Sequence, residues 1–306
     1  MNNKNKIALL ATALAALLLS GCAATTIKFP AYLNSRDFVS NDVKRLGIIY
    51  GDFSVAKVTT LGQEKNEKAV PAFADTIFAK LKKQFEFLGV EVIKLDPAPT
   101  EPTQNPALAR DLQSMREEFG RTTTEILKNY QKQPFLQARF APEIGQFAEL
   151  AKTPYILFFS ASGWNRSGGN VAKSVALGVL TGVTPAYQYG CTIALGIVNA
   201  QSSEMAWYTI QNKELNPENA NHLDKLVTEA LKYFNPLVAI QTVPKNIDIN
   251  VFTNGVGTIS GRLVQIKKTG IVVKPHRGQL KEIPIEKIRS IQNDINKEFY
   301  YQGISQ

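Results

Sequence analysis

Apolar and polar positions alternate after residue 43 in patterns that predict short strands and amphipathic helices. The apolar run Arg45–Tyr50 is typical of a buried strand. Over Ala69–Leu88 the apolar residues recur at steps of three and four, which places them on one face of a helix. Gly89 is expected to end this helix, and Val90–Leu95 follows as a second strand. Together the three segments predict a βαβ unit.

The chain up to residue 235 continues with helices and three further strands. Helical patterns are expected at Leu108–Phe119, Thr124–Gln131, Pro142–Lys152 and Pro217–Phe234. Tyr155–Ser162 is a nearly continuous apolar run, as in a central strand covered on both faces. Tyr187–Ala200 and Glu204–Gln211 are joined by a short polar turn and predict a hairpin. Because hairpin strands are antiparallel and βαβ strands are parallel, residues 44–235 are expected to form an α/β (α+β) sandwich with a mixed sheet.

The pattern changes after residue 235. Residues 236–245 contain two prolines and are interpreted as a linker. Residues 246–306 contain five short apolar runs with glycine near the reversals, and five such strands predict a small all-β barrel whose closure removes exposed edges. The strings GRLV at 261–264, GIVVK at 270–274 and IPIEKIRSI at 283–291 resemble Sm-like or SH3-like barrels.

The first 22 residues have the pattern of a secretion signal. Lys4 and Lys6 precede the apolar run Ile7–Leu19, which is shorter than the roughly 20 residues that a spanning helix needs. Leu19-Ser20-Gly21-Cys22 resembles the bacterial lipobox. The resemblance implies cleavage between Gly21 and Cys22 and fatty acyl (palmitate) chains on Cys22. The alternative is an ordinary secretory signal with a chance cysteine at its end.

The lipobox divides the start of the chain into a cleaved signal, residues 1–21, and a polar tether, residues 22–43. Ala23, rather than aspartate, follows the cysteine, which resembles the signal for delivery to the outer membrane. We therefore expect a lipid-anchored protein at the periplasmic face of the outer membrane.

A second resemblance lies in the α/β region. The string ALGVLTGVTPAYQYGCTIALGIVNAQSSEMAWY, residues 176–208, combines a glycine-rich apolar loop, a strand, a polar turn and a strand with an aromatic pair. It resembles a stretch of bacterial envelope lipoproteins, and with the βαβ unit it is similar to the α/β domain of the curli-secretion-channel and TolB amino-terminal type. The resemblance implies an envelope protein.

Composition narrows the possible chemistry. The 306 residues are 44% hydrophobic and 20% charged, as in globular proteins, and include two cysteines and two histidines. Two cysteines are too few for a disulfide framework, and two histidines leave few ligands for a histidine-rich metal site. The P-loop, the dinucleotide fingerprint and the GxSxG motif are missing from the sequence. We expect a non-enzymatic protein without cofactor or metal.

Two groups of residues are candidate contact sites. The apolar segment 171–183 is either a core helix or a contact surface, whose residues would be Val171, Val175, Leu177, Val179, Leu180 and Val183. The chain has a net charge of +9, and residues 245–306 hold ten Lys or Arg against five Asp or Glu. The candidate anion-binding residues there are Arg262, Lys267, Lys268, Lys274 and Arg277. These charges can equally serve only to keep a small domain soluble.

The sequence thus favours an envelope assembly or interaction factor that binds a protein partner or a second copy of itself. The alternative is a binder of anionic envelope polymer or lipid head groups through the basic C-terminal domain. Nucleic acid is not an expected partner, because the lipid anchor places the chain outside the cytoplasm.

Overall fold

The computed structural model describes residues 32–35, 38–59, 62–95, 106–129, 136, 138–166, 188–241, 243–255, 257–297 and 299–302. Two β-sheets lie in one structural unit, Ala31–Gln306. The predicted signal and the six predicted contact residues of segment 171–183 lie outside the described residues. No helix in the described ranges has the length and apolar character that a membrane span requires.

The large sheet is mixed, as predicted. Its strands are β1 (Leu33–Asn34), β2 (Arg45–Thr59), β3 (Gly62–Lys65), β4 (Glu91–Lys94), β5 (Tyr155–Arg166), β6 (Tyr189–Asn199) and β7 (Glu204–Lys213). They pair in the order β1-β7-β6-β5-β2-β3, and β4 also pairs with β2. β2 runs parallel to β4 and β5, whereas the other pairs are antiparallel. The predicted βαβ unit and hairpin are both confirmed.

Helices cover both faces of this sheet. They are α1 (Val70–Phe87), α2 (Pro106–Asn129), α3 (Ile144–Ala151) and α4 (Ala220–Leu231). On one face, α1 and α4 bury the periodic apolar residues that the sequence pattern singled out. On the other face, the ring of Phe158 stacks on Phe119 of α2, with 5.2 Å between centroids. Burial on both faces explains the continuous apolar run at the start of β5.

Helix α2 is one 24-residue helix where the sequence pattern predicted two segments. Gly120 and the threonines 122–124, residue types with low helix propensity, lie where the two predicted segments meet. The Thr124 hydroxyl donates to the Gly120 carbonyl at 2.9 Å, so this side chain bonds back onto the helix. Arg121 pairs with Glu118 and Glu125 on the same surface. These contacts within the helix support its continuation.

Parts of the predicted tether and linker belong to the folded body. Leu33 and Asn34 pair with Tyr208 and Trp207 at the edge of the large sheet. Residues Pro236–Gln241 form a short helix, α5, and the Asn235 side chain accepts a hydrogen bond from the Leu237 N–H at 2.9 Å. The two prolines of residues 236–245 favour a linker in the sequence pattern, but Pro236 fits the first turn of a helix, where its missing N–H is not needed.

The second sheet is antiparallel throughout. Its strands are β8 (Asp248–Thr253), β9 (Gly257–Lys267), β10 (Gly270–Pro275), β11 (Lys281–Pro284), β12 (Ile288–Asn293) and β13 (Phe299–Gln302). Five of them were predicted; β13 was not. One face buries an aliphatic core that includes Ile249, Leu263, Ile283 and Ile291.

The predicted closed barrel is not found among the described residues. The strand order is β11-β10-β9-β8-β12-β13, and the two end strands do not pair with each other. β11 has only four residues and ends at Pro284, which has no N–H to donate to a further strand. The second sheet is therefore open, with β11 and β13 at its edges.

Candidate functional site

A row of polar side chains crosses four strands at one end of the large sheet. Ser54 of β2 lies opposite Ser162 of β5, which lies opposite Thr192 of β6. Thr192 in turn lies opposite Asn212 of β7. The two serines and the asparagine are exposed. We call these four residues the polar row; three hydroxyls and one amide there offer both donors and acceptors.

Trp164 lies next to the polar row on the same face of β5. Its ring covers Gly190, where a Cβ atom would come within 2.8 Å of the indole nitrogen. Glycine at this position therefore allows the indole to approach the backbone of the neighbouring strand. The Arg166 guanidinium is 5.8 Å from the centre of the Trp164 ring, within the range of a cation–π interaction.

Arg166 and Gln188, the described residues on either side of segment 167–187, lie at this same end of the sheet. The backbone N–H of Arg166 donates to the carbonyl of Gln188 at 2.8 Å, so the two chain ends that bound the segment are adjacent. The six apolar residues predicted as a contact surface lie in the sequence between Arg166 and Gln188 and outside the described residues. We call Trp164 with the polar row the β5–β6 end.

The five predicted anion-binding residues do not form one cluster. Arg262 pairs with Asp248 at 3.3 Å, and Lys267 pairs with Glu282 at 2.6 Å. The hydrogen bond from Lys267 lowers the pKa of the Glu282 carboxyl. These two ion pairs offset part of the positive charge that the sequence pattern assigned to this region.

The other three predicted residues are exposed, and within the described ranges none of them has an ion-pair partner. Lys268 lies in the turn between β9 and β10, Lys274 lies opposite Arg262 on β10, and Arg277 follows β10. Since Lys268 and Lys274 lie at opposite ends of β10, they face different surroundings. Lys268 lines a cavity.

A cavity of about 290 Å³ lies where the second sheet meets the large-sheet part of the body. We call it the junction cavity. Its polar lining residues are Ser40, Asn41, Lys44, Asn235 and Lys268. Its apolar lining residues are Val43, Leu88, Val90, Phe234, Leu237 and Ile285.

The sequence pattern pointed to only one of the polar residues of the junction cavity, Lys268. Ser40 and Asn41 were assigned to the tether, and Asn235 stood at the boundary of the linker. Lys44 adjoins a strand and has no motif around it. Their proximity depends on how two sheets pack together, and no local pattern in the sequence carries that information.

The surroundings of Cys191 do not favour a nucleophilic role. Cys191 is buried, its thiol donates to the Leu215 carbonyl at 3.2 Å, and burial raises its pKa to about 12. The thiolate that a nucleophilic cysteine needs is therefore disfavoured at neutral pH. The residues that the structure describes contain no group of three His, Cys, Asp or Glu that could hold a metal ion.

Comparisons with known proteins give structural similarities but no family. No protein-family model and no curated protein match the chain. Among solved structures, a PelC dodecamer from Paraburkholderia phytofirmans is similar over 65% of this chain and 93% of its own, with 7% identity and a TM-score of 0.31. The LpoB C-terminal domain from Salmonella enterica is similar over 58% of this chain and 87% of its own, with 12% identity and a TM-score of 0.22. Likeness of this degree assigns neither fold nor function.

Proposed function

We propose that this chain is an envelope lipoprotein, anchored through Cys22 and acting without catalysis as an assembly or interaction factor. The charged, apolar and small-residue pattern of residues 4–22 supports the anchor. Several acyl chains on one cysteine hold a protein stably on a bilayer, whereas a single chain binds only marginally. The outer membrane, facing the periplasm, is the proposed location because of Ala23.

The anchor and the first strand are close in sequence. Leu33, the first residue of β1, follows Cys22 by eleven residues. At 3.3–3.6 Å per residue, even a fully extended connection reaches at most about 40 Å. A body held this near a membrane surface meets membrane-bound partners at high effective concentration.

The β5–β6 end is the proposed contact surface for a protein partner or a second copy. The observation that carries this proposal is the polar row, three of whose four side chains are exposed, beside Trp164 and the hydrogen-bonded pair Arg166 and Gln188. In the sequence, the apolar segment 171–183 lies between these last two residues. Protein interfaces combine aromatic anchors with a polar rim that keeps its hydrogen-bonding groups satisfied. At the β5–β6 end, Trp164 is the aromatic residue and the polar row supplies the hydrogen-bonding groups.

Position-specific cross-linking tests the proposed contact surface. A Ser162→Cys variant, labelled with a maleimide–benzophenone reagent in intact envelopes, is expected to give an adduct of higher mass on illumination. A Ser202→Cys variant is the matched control, because Ser202 is also exposed but lies in the turn at the other end of β6. The native Cys191 is buried and does not compete for the reagent.

The two positions must give different results. An adduct formed from Ser162→Cys, absent from Ser202→Cys and weakened by Trp164→Ala supports the surface. Equal adducts from both positions, or none from Ser162→Cys, contradict it. Mass spectrometry of the adduct distinguishes a protein partner from a second copy.

A further inference from the structure

Several hydrogen-bond acceptors that line the junction cavity are already engaged. The backbone carbonyl of Asn41 accepts from Lys44 Nζ at 2.7 Å, and Asn41 Oδ1 accepts from Asn235 Nδ2 at 3.2 Å. The side-chain oxygen of Asn235 already accepts from the Leu237 N–H. The carbonyls of Ser40 and Asn235 accept from the backbone N–H groups of Val43 and Val238.

Several donors around the cavity remain available. Lys44 uses one of its three N–H bonds. Within the described part of the chain, the Lys268 ammonium, the Ser40 hydroxyl and the Asn41 side-chain NH₂ have no hydrogen-bond partner. A group that only accepts hydrogen bonds, and that has several oxygens, complements such a lining.

The charge of the residues that line the junction cavity also favours an anionic ligand. Lys44 and Lys268 come from the two different parts of the body, and both line the cavity. The described lining residues include no carboxylate. An anion bound between two ammonium groups is attracted by both.

We infer that the junction cavity binds a phosphate group carried by a phosphate monoester or by free phosphate. A phosphate monoester has a second pKa near 6 and carries about −1.5 to −2 charge at neutral pH, which matches the two lysines. A cavity of about 290 Å³ suits a small ligand or a single head group rather than a polymer. Because Lys44 and Lys268 belong to different parts of the body, the bound anion bridges them. The inference rests on the junction and does not depend on the lipid anchor or on the β5–β6 end.

Titration of the full chain, purified in dodecyl maltoside, tests this site. Isothermal calorimetry with inorganic phosphate at neutral pH measures binding of the free anion. Nanodiscs of phosphatidylcholine, with or without phosphatidic acid, measure binding of a lipid phosphate monoester. Lys44→Ala and Lys268→Ala are each expected to weaken binding about tenfold, as for the loss of one charge-assisted hydrogen bond. Lys268→Arg keeps the charge and is expected to retain binding.

Lys274→Ala is the matched control, because Lys274 is an exposed lysine that does not line the cavity. It is expected to leave the affinity unchanged, and thermal unfolding checks that all variants remain folded. Selective loss in the two cavity variants supports the site, with inorganic phosphate and phosphatidic acid distinguishing its two sources. Equal loss in all three alanine variants, no loss in any, or no binding of either probe by the unaltered chain overturns the inference.

Discussion

A Cys22→Ser variant is expected to lose its attachment to membranes almost completely. The hydroxyl cannot take the thioether-linked lipid that the Leu19–Cys22 motif predicts, and cleavage between Gly21 and Cys22 is expected to fail without that lipid. The variant should therefore accumulate as a slower-migrating precursor that carbonate washing releases from the membrane fraction.

Cys191→Ser is the control for this experiment. It removes the other cysteine of the chain, whose thiol is buried against the Leu215 carbonyl in the body. It is expected to leave processing and fractionation unchanged. If Cys22→Ser still migrates as the mature form and pellets with membranes after the wash, the predicted anchor is wrong.

A Phe159→Ala variant is expected to lower the free energy of unfolding by about 3–5 kcal/mol, because it leaves a cavity in a closely packed aromatic cluster. Phe159 on β5 is fully buried. Its ring centre lies 4.7 Å from that of Tyr50 and 5.2 Å from that of Phe53. Such ring pairs stabilise the core beyond the burial of their area alone. Urea unfolding followed by tryptophan fluorescence and circular dichroism measures the change.

Leu150→Ala is the corresponding surface control. Leu150 in α3 is 60% exposed, so its truncation is expected to change the free energy of unfolding by about 0.5 kcal/mol or less. A loss below about 1 kcal/mol for Phe159→Ala would mean that the cluster around β5 is not the core of the large sheet.

The elements that the sequence predicted well are those whose burial follows a short period. In α1, the residues Phe73, Ile77, Leu81 and Phe85 are spaced by four and are all buried. The apolar run of β5 is buried from both sides, and the hairpin of β6 and β7 has its polar turn in the predicted place. Each of these features depends on neighbours within one element or one turn.

The features that the sequence missed depend on contacts between distant residues. Leu33 and Asn34 read as polar tether but pair with residues more than 170 positions away. The polar row needs the register of four strands, and the junction cavity needs the packing of two sheets. The predicted barrel failed for a related reason, since strand count and glycine turns do not determine whether the end strands meet.

The count of charged residues in 245–306 predicted only in part which positive charges are free in the structure. The sequence identifies five basic residues as candidates. The acids that pair with Arg262 and Lys267 come from other strands, so their pairing is not visible in the sequence. Net charge in a segment is a property of the sequence, whereas free charge at a site depends on which partners the fold brings near. Lys268, one of the five predicted residues, lines the junction cavity together with Lys44, which no motif in the sequence marks.

The most direct test of the lipoprotein proposal is the intact mass of the mature protein, isolated from its native envelope. The proposal predicts a chain of residues 22–306 whose mass is increased by a diacylglycerol and one further acyl group, with both modifications on Cys22 in fragment spectra. A mature chain that begins at another residue, or that begins at Cys22 with an unmodified thiol, would contradict it.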